Sequence, residues 1–297
     1  MCVLCCLTVA GKAKRRILKG MGSHEEPSRP ERVDPNDPAP GVTPDQRPGT
    51  AGRFRLADQT PVPAVDTAGM REIDRIATEE TGPSLYQMME NAGRNLAELV
   101  RQRLGRPHPS PQLQVLVAAG SGGNGGGGIC AARHLANQGY VVTLLLTRSR
   151  GLPAVPAQQL QLARAAGVTV TEATAPGPIP EGAPDIAIDA VLGYSVSGAP
   201  RGAAADLIDL INGLSCPVIS LDIPSGADAT TGAAAGAVVR PTITMTLALP
   251  KTGLAGAETG ELVLADIGIP AEAYRRAGVE AFKSPFRDGY LVSLSVR

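Results

Sequence analysis

Three places in this sequence set polar groups directly after an apolar run, and together they could do chemistry that none could do alone. The first is Gly120-Ser-Gly-Gly-Asn124-Gly-Gly-Gly-Gly128, which follows Val115 to Ala119 and leads into a helically spaced stretch from Ile129. Glycines at a strand-to-helix turn leave backbone N–H groups and the positive end of the helix dipole open, with no Cβ to hold a phosphate away. A flexible Gly-rich linker would instead be flanked by polar sequence. The second is Asp189, which ends the run Ile186 to Ala190 and leads into the hydroxyl-rich loop Gly193-Tyr-Ser-Val-Ser-Gly198. The third is Leu221-Asp222-Ile-Pro-Ser225-Gly226, an acid after Val-Ile-Ser-Leu with a serine three residues on. A lone Asp at a strand end is often a turn residue. Two carboxylates, an amide oxygen and a hydroxyl above a phosphate cradle suit a hard cation or a general acid/base.

These groups converge only if the runs before them lie side by side. The spacing predicts a first helix capped by Asp66 or Thr67, with Met70, Ile73 and Ile76 on one face, and a second from Ser84 to Gly105. Further along it predicts helices from Ile129, over 156–166 and over 203–213. Strands are expected over 115–119, 141–146, 168–171, 186–190, 218–221, 243–247 and 262–265. Strands alternating with helices imply α/β, a three-layer αβα Rossmann-like fold with a mostly parallel sheet, whose ligands bind beyond the carboxyl ends of the strands. A composition 43% hydrophobic but 3% aromatic builds its core from Ala, Val, Leu and Ile, as buried parallel strands do.

The 28 basic and 28 acidic residues leave no net field for nucleic acid or an anionic membrane, so neither partner is expected. Five cysteines, three bunched at Cys2, Cys5 and Cys6, make no disulfide framework, and a cytoplasmic protein is expected. The apolar stretch Met1 to Ala10 precedes its basic cluster at Lys12 to Arg16, the reverse of a secretory signal, and falls short of the roughly twenty residues of a membrane span. Proline, glycine and charge without periodicity mark residues 1–63 as a disordered arm, with Met21 as an alternative start. Residues 64–282 then form the folded domain and 283–297 a C-terminal tail.

Other patterns compete for the same residues. Gly120-x-Gly122-x-x-Gly125 satisfies the dinucleotide fingerprint, but Leu146-Thr-Arg148-Ser-Arg150 offers no acid to hold a ribose, which disfavours a hydride-transferring dehydrogenase. Cys130 and His134 are four apart on a helix and either pair for metal or nucleophilic chemistry or pack locally. Lys251 either reaches the site or covers its edge.

Met70-Arg-Glu-Ile-Asp74, Met89-Glu-Asn-Ala-Gly93, the glycine turn, Asp189-Ala-Val-Leu-Gly193, Leu221-Asp-Ile-Pro-Ser-Gly226 and Leu249-Pro-Lys251-Thr-Gly occur in that order. This series resembles the NAD(P)H-hydrate epimerase family, the YjeF N-terminal domain, over roughly Val65 to Gly278. The resemblance implies interconversion of the R and S forms of hydrated NADH and NADPH, with a separate dehydratase acting downstream and room for a homodimer. It implies a potassium ion on Asn124, Asp189 and Ser225. It places substrate on Gly123, Asn124, Gly125, Gly126 and Gly127 and on the loop Gly193, Tyr194, Ser195, Val196, Ser197, Gly198 and Ala199, with Asp222 catalytic and facing the nicotinamide. The family's loop reads Asn-Asn-Gly-Gly-Asp-Gly; Gly123 and Gly127 stand where it has its first Asn and its Asp. Those two positions keep open a second reading, a catalytically impaired nucleotide-binding module on the same fold.

Overall fold

The computed structural model describes residues 53–105, 113–173, 182–279 and 283–297. The arm at residues 1–52, with its Cys2 and Cys5, lies outside the described residues. In chain order the elements are β1 (Phe54–Arg55), β2 (Pro61–Val62), α1 (Thr67–Ile76), α2 (Leu85–Leu104), β3 (Gln114–Ala119), α3 (Gly123–Asn137), β4 (Val141–Leu146), α4 (Ala154–Ala165) and β5 (Thr169–Glu172). There follow β6 (Ile186–Ala190), α5 (Ala203–Asn212), β7 (Val218–Leu221), β8 (Ile243–Leu247), β9 (Glu261–Ala265), α6 (Ala271–Arg276) and β10 (Leu291–Val296).

The ten strands form one sheet in the order β2-β1-β10-β9-β8-β7-β6-β3-β4-β5. From β9 to β5 every pairing is parallel. The chain runs outward from β3 through β4 to β5, then restarts at β6 and runs the other way, so the order reverses between β3 and β6. At such a switch point adjacent loops part and leave a crevice at the carboxyl ends of the strands.

Alternate residues of β3 show how the sheet is covered on both faces. Val115, Val117 and Ala119 pack with Leu96, Ile129 and Leu135 of α2 and α3, while Leu116 and Ala118 pack with Leu207, Ile208 and Ile211 of α5. Both faces being buried, the strand reads as a continuous apolar run. The helix starts follow local chemistry. Asp66 caps α1 by accepting from Gly69 N at 2.7 Å, and Ser84 with Gln87 forms a capping box at α2.

Two expectations change. The stretch 283–297 is not merely a tail, because β10 pairs antiparallel with β9, with Leu294 beside Leu262. Residues within the expected arm join the same edge: Phe54 pairs with Val296 and Val62 and is 1% exposed. The other change is at the glycines, where α3 begins at Gly123 rather than near Ile129. Glycine is a poor helix former, yet a Cβ at Gly125 would stand 1.9 Å from the Gly120 carbonyl oxygen and one at Gly128 would stand 2.5 Å from Ala190 Cβ. Close packing of the helix on the turn and the sheet, not only ligand approach, demands glycine there.

Candidate active site

A cavity of 590 Å³ opens at the carboxyl edge where β3 and β6 part. Its size is that of a small-molecule site. Gly123, Asn124, Gly125 and Gly127 from the start of α3 form one wall, and Gly193, Tyr194, Ser195 and Val196 from the loop after β6 form another. The Gly122 cap of α3 makes no side-chain hydrogen bond, so the helix presents its first N–H groups to the cavity side. Met70, Met88 and Met89 of α1 and α2 supply an apolar wall, and Asp74, Asp222 and Lys251 the charge. Four expected substrate contacts lie off this cavity. Gly126 directs its Cβ position at Met89 Sδ and Pro156, Ser197 and Gly198 line a smaller neighbouring hollow, and Ala199 sits against Gly236. Each is displaced because the helical turn and the loop rotate these residues away from the strand ends.

Asp222 has φ +72°, a left-handed conformation that costs a non-glycine residue free energy and persists only where its surroundings impose it. Its N–H donates to Met245 O at 2.7 Å, and its Oδ2 accepts from Tyr194 N at 3.1 Å. Its Oδ1 takes a hydrogen bond and an ion pair from Lys251 Nζ, which also donates to Leu247 O at 3.0 Å. Lys251 is 1% exposed, so this is a desolvated pair, and the sequence alternative in which Lys251 reaches the site is the one realised. The lysine is held there by a parallel bridge to Val65, with Val65 N donating to Pro250 O and Thr252 N to Val65 O. The same bridge sets the start of α1 next to Lys251. That helix presents Met70, Ile73 and Asp74 at helical spacing, and Tyr194 O–H donates to Asp74 Oδ2 at 2.5 Å. The ammonium lies 5.5 Å from the centre of the Tyr194 ring. Burial and the Asp74 charge push the Tyr194 phenol upward, which keeps it protonated and a donor. Sequence reasoning did not single out Asp74 as a site residue; its signal was a carboxylate one turn after Met70 on an otherwise apolar face.

Below the cavity floor Asp189 is fully buried. Its carboxylate accepts from Ser220 Oγ at 2.7 Å, Ser225 N at 2.9 Å, Ser225 Oγ at 2.5 Å and Val191 N at 3.2 Å. Burial raises its pKa against these hydrogen bonds, and none of the ion pairs among the described residues includes it. Leu192 O accepts from Ser225 Oγ at 3.2 Å and from Asn124 Nδ2 at 2.9 Å, and Ser225 Oγ in turn links it to Asp189, so the three expected ligands lie in one hydrogen-bonded chain. An anionic oxygen, a hydroxyl, an amide and a carbonyl form the donor set a hard cation requires.

Cys130 and His134 meet Glu90 at the interface of α2 and α3 and form a cluster of metal-ligating type. The Arg133 guanidinium already lies 2.7 Å from both Glu90 oxygens and 3.1 Å from His134 Nε2. Burial of the Glu90 carboxyl is outweighed by Arg133, so its pKa falls to about 2, while burial pushes the Cys130 thiol up to about 12. A protonated thiol beside a satisfied ion pair is a packing arrangement.

A doubly wound α/β sheet with a nucleotide-sized crevice at its switch point, a helix N-terminus on one wall and a buried carboxylate–lysine pair on another defines a small-molecule site of nucleotide-binding type. The profile described as YjeF-related protein N-terminus matches residues 85–253, and the chain belongs to that family. It is 50% identical over 243 residues to an NAD(P)H-hydrate epimerase of Dehalogenimonas lykanthroporepellens, covering 82% of this chain and 97% of that one. It is 36% identical over 224 residues to an NAD(P)H-hydrate epimerase of Truepera radiovictrix, covering 74% and 97%. A bifunctional NAD(P)H-hydrate repair enzyme of Hyperthermus butylicus is 38% identical over 202 residues, 66% of this chain and 37% of that protein. A yeast protein solved by crystallography shares the fold, with a TM-score of 0.68 and 24% identity over 77% of this chain and 99% of that one. Among the described residues no helix is long and apolar enough to cross a membrane.

Proposed function

We propose that this chain is an isomerase that interconverts the R and S forms of hydrated NADH and NADPH, so that a separate dehydratase can restore the cofactors. The observation that carries the reading is the Asp222–Lys251 pair held in the same cavity as the open N-terminus of α3. The diphosphate would lie against the N–H groups of Gly123 to Gly125, and the nicotinamide end against Asp222 with Met70, Met88 and Met89 excluding water. The ring nitrogen's lone pair forms a double bond to C6 as the C6–O bond breaks. The departing oxygen takes a proton and leaves as water. Water then adds to the opposite face and gives a proton to a carboxylate, work suited to Asp222.

Support for potassium comes from Asp189, a fully buried carboxyl that belongs to none of the ion pairs among the described residues. Asn124, Asp189, Ser225 and the Leu192 carbonyl would hold it, and when bound it would supply the charge that offsets Asp189 and ties the β3 and β6 loops together. The melting temperature should be higher in potassium than in tetramethylammonium, and Asp189→Asn should abolish that difference; equal melting in both salts removes the ion from the reading. A cytoplasmic location accords with the free thiols of Cys130 and Cys216. A homodimer belongs to the same reading and is measurable by light scattering.

Purified protein mixed with separated R and S hydrates tests the function, with spontaneous exchange as the baseline it must exceed. The alternative, an impaired binding module, rests on Gly123 and Gly127. A Cβ at Gly123 meets nothing within 4 Å, whereas one at Gly127 stands 2.9 Å from Leu221 Cδ2 and 4.0 Å from Ala92 Cβ, so Gly123→Asn has room for its Cβ and Gly127→Asp requires the buried Leu221 side chain to shift. Nucleotide binding without exchange in the native chain, and exchange in the double variant, would establish the impaired module.

A further inference from the structure

The cavity holds two carboxyl groups whose neighbours differ, and loss of water from one face of the ring with its addition to the other calls for a proton donor and a proton acceptor on opposite faces. Asp222 is ion-paired with Lys251. Asp74 enters the cavity from α1 and has no such pair, its Oδ2 being engaged by the neutral Tyr194 hydroxyl at 2.5 Å. That bond leaves the second oxygen of Asp74 to carry a proton. We propose that Asp74 is the second catalytic residue, the acid that protonates the departing C6 hydroxyl, while the ion-paired Asp222 takes the proton of the water that adds to the other face. The inference rests on the epimerase reading.

The protons balance. Asp74 gives one to the leaving oxygen, which departs as water with the electrons of the C6–O bond; the incoming water gives one to Asp222. The site is then set for the reverse exchange, in which the roles swap, and solvent returns a proton to Asp74 before another turnover in the first direction. Environments that push two carboxyls apart are how one site runs acid and base chemistry together. Burial raises the Asp74 pKa above 3.8; the Tyr194 bond and Lys251 oppose the rise and Asp222 adds to it. Facing it are Tyr194 and Asp222 at the strand ends, Lys251 after β8 and Tyr274 of α6. On its own helix Arg75 is paired with Glu72 and Glu80, and Arg71 donates to Ser195 O.

The test is the pH dependence of kcat/KM for exchange of the purified R hydrate by the full chain. Activity requires Asp74 to hold the proton it gives to the leaving oxygen, so loss of that proton sets the alkaline limb of the profile. Asp74→Asn should lower kcat by about 10² to 10⁴-fold, leave KM and melting temperature near the native values, and remove the alkaline limb. Asp74→Glu should restore the limb. Tyr194→Phe, which removes a bond favouring the carboxylate, should move that limb to higher pH. Near-native turnover in Asp74→Asn, a uniform loss at every pH with the alkaline limb intact, or an unmoved limb in Tyr194→Phe overturns the role of Asp74. A native chain no faster than spontaneous exchange overturns the epimerase reading with it, so the two failures are distinct.

Discussion

Among the described residues, the ion pairs with both side chains less than a third exposed gather at two places, and their surroundings separate them. Between α2 and α3, Glu90 meets Arg133 with side chains 28% and 16% exposed, and His134, Cys130 and Gln159 complete its hydrogen bonds. At the sheet's carboxyl edge Asp222 meets Lys251 with side chains 5% and 1% exposed, on a backbone in the left-handed region and beside a cavity. The first pair is self-contained and cross-links two helices. The second is desolvated, strained and next to space for a ligand. Pairing alone is therefore a poor marker of function; pairing with a cavity and an imposed backbone conformation is a better one.

The largest expected contrast is catalytic. Asp222→Asn keeps shape and most hydrogen bonding but removes proton transfer, so exchange should fall about 10² to 10⁴-fold with nucleotide binding retained. Glu90→Gln should leave exchange unchanged. Near-normal turnover in Asp222→Asn would make Asp222 a turn residue and erase the contrast.

Stability should separate the pairs next. Lys251→Met leaves a buried carboxylate without its cation, which costs about 3–5 kcal/mol in comparable cases and should show in denaturant unfolding. A loss below about 1 kcal/mol would place the pair among exposed ones. Truncation sharpens where the domain begins. Removing residues 1–63 deletes Phe54 and Val62 from the core, and the loss of a buried phenylalanine alone costs about 3–5 kcal/mol. A chain starting at residue 64 with a native melting temperature would return those residues to a dispensable arm.

The smallest effect is the pH response of the helix cross-link. The Glu90 pKa is depressed from 4.5 to about 2, so its contribution is fully present above 4.5 and is lost as pH falls toward 2. Partial exposure and solvent screening keep that contribution below about 1 kcal/mol. Unfolding curves of native chain and Glu90→Gln should therefore converge as pH falls through this window; a gap that widens there would contradict the assignment.

The parallel core was legible in the sequence because it rests on local patterns. Apolar runs such as Val115 to Ala119, helical spacing in α1 and α2, and the capping residues Asp66 and Ser84 are short-range signals, and strands alternating with helices leave few topologies. Asp189, Ser225 and Asn124 were singled out for the same reason, each lying at the end of a recognisable strand or in the turn after one. The antiparallel edge was not legible: β1 and β2 are two residues each, too short for periodicity, and Phe54 pairs with Val296 at the far end of the chain. Nor was the start of α3, since glycine's propensity argues against a helix and only contacts with Gly120 and Ala190 impose it. The sequence by itself determined the strand ends and the residue types they carry. Tertiary structure alone decided which of them act together, because Asp74 lies 120 residues from Tyr194 and Lys251 lies 29 from Asp222. Local propensity carries no information across such separations, and the sheet order with the Val65–Lys251 bridge brings those groups into one cavity.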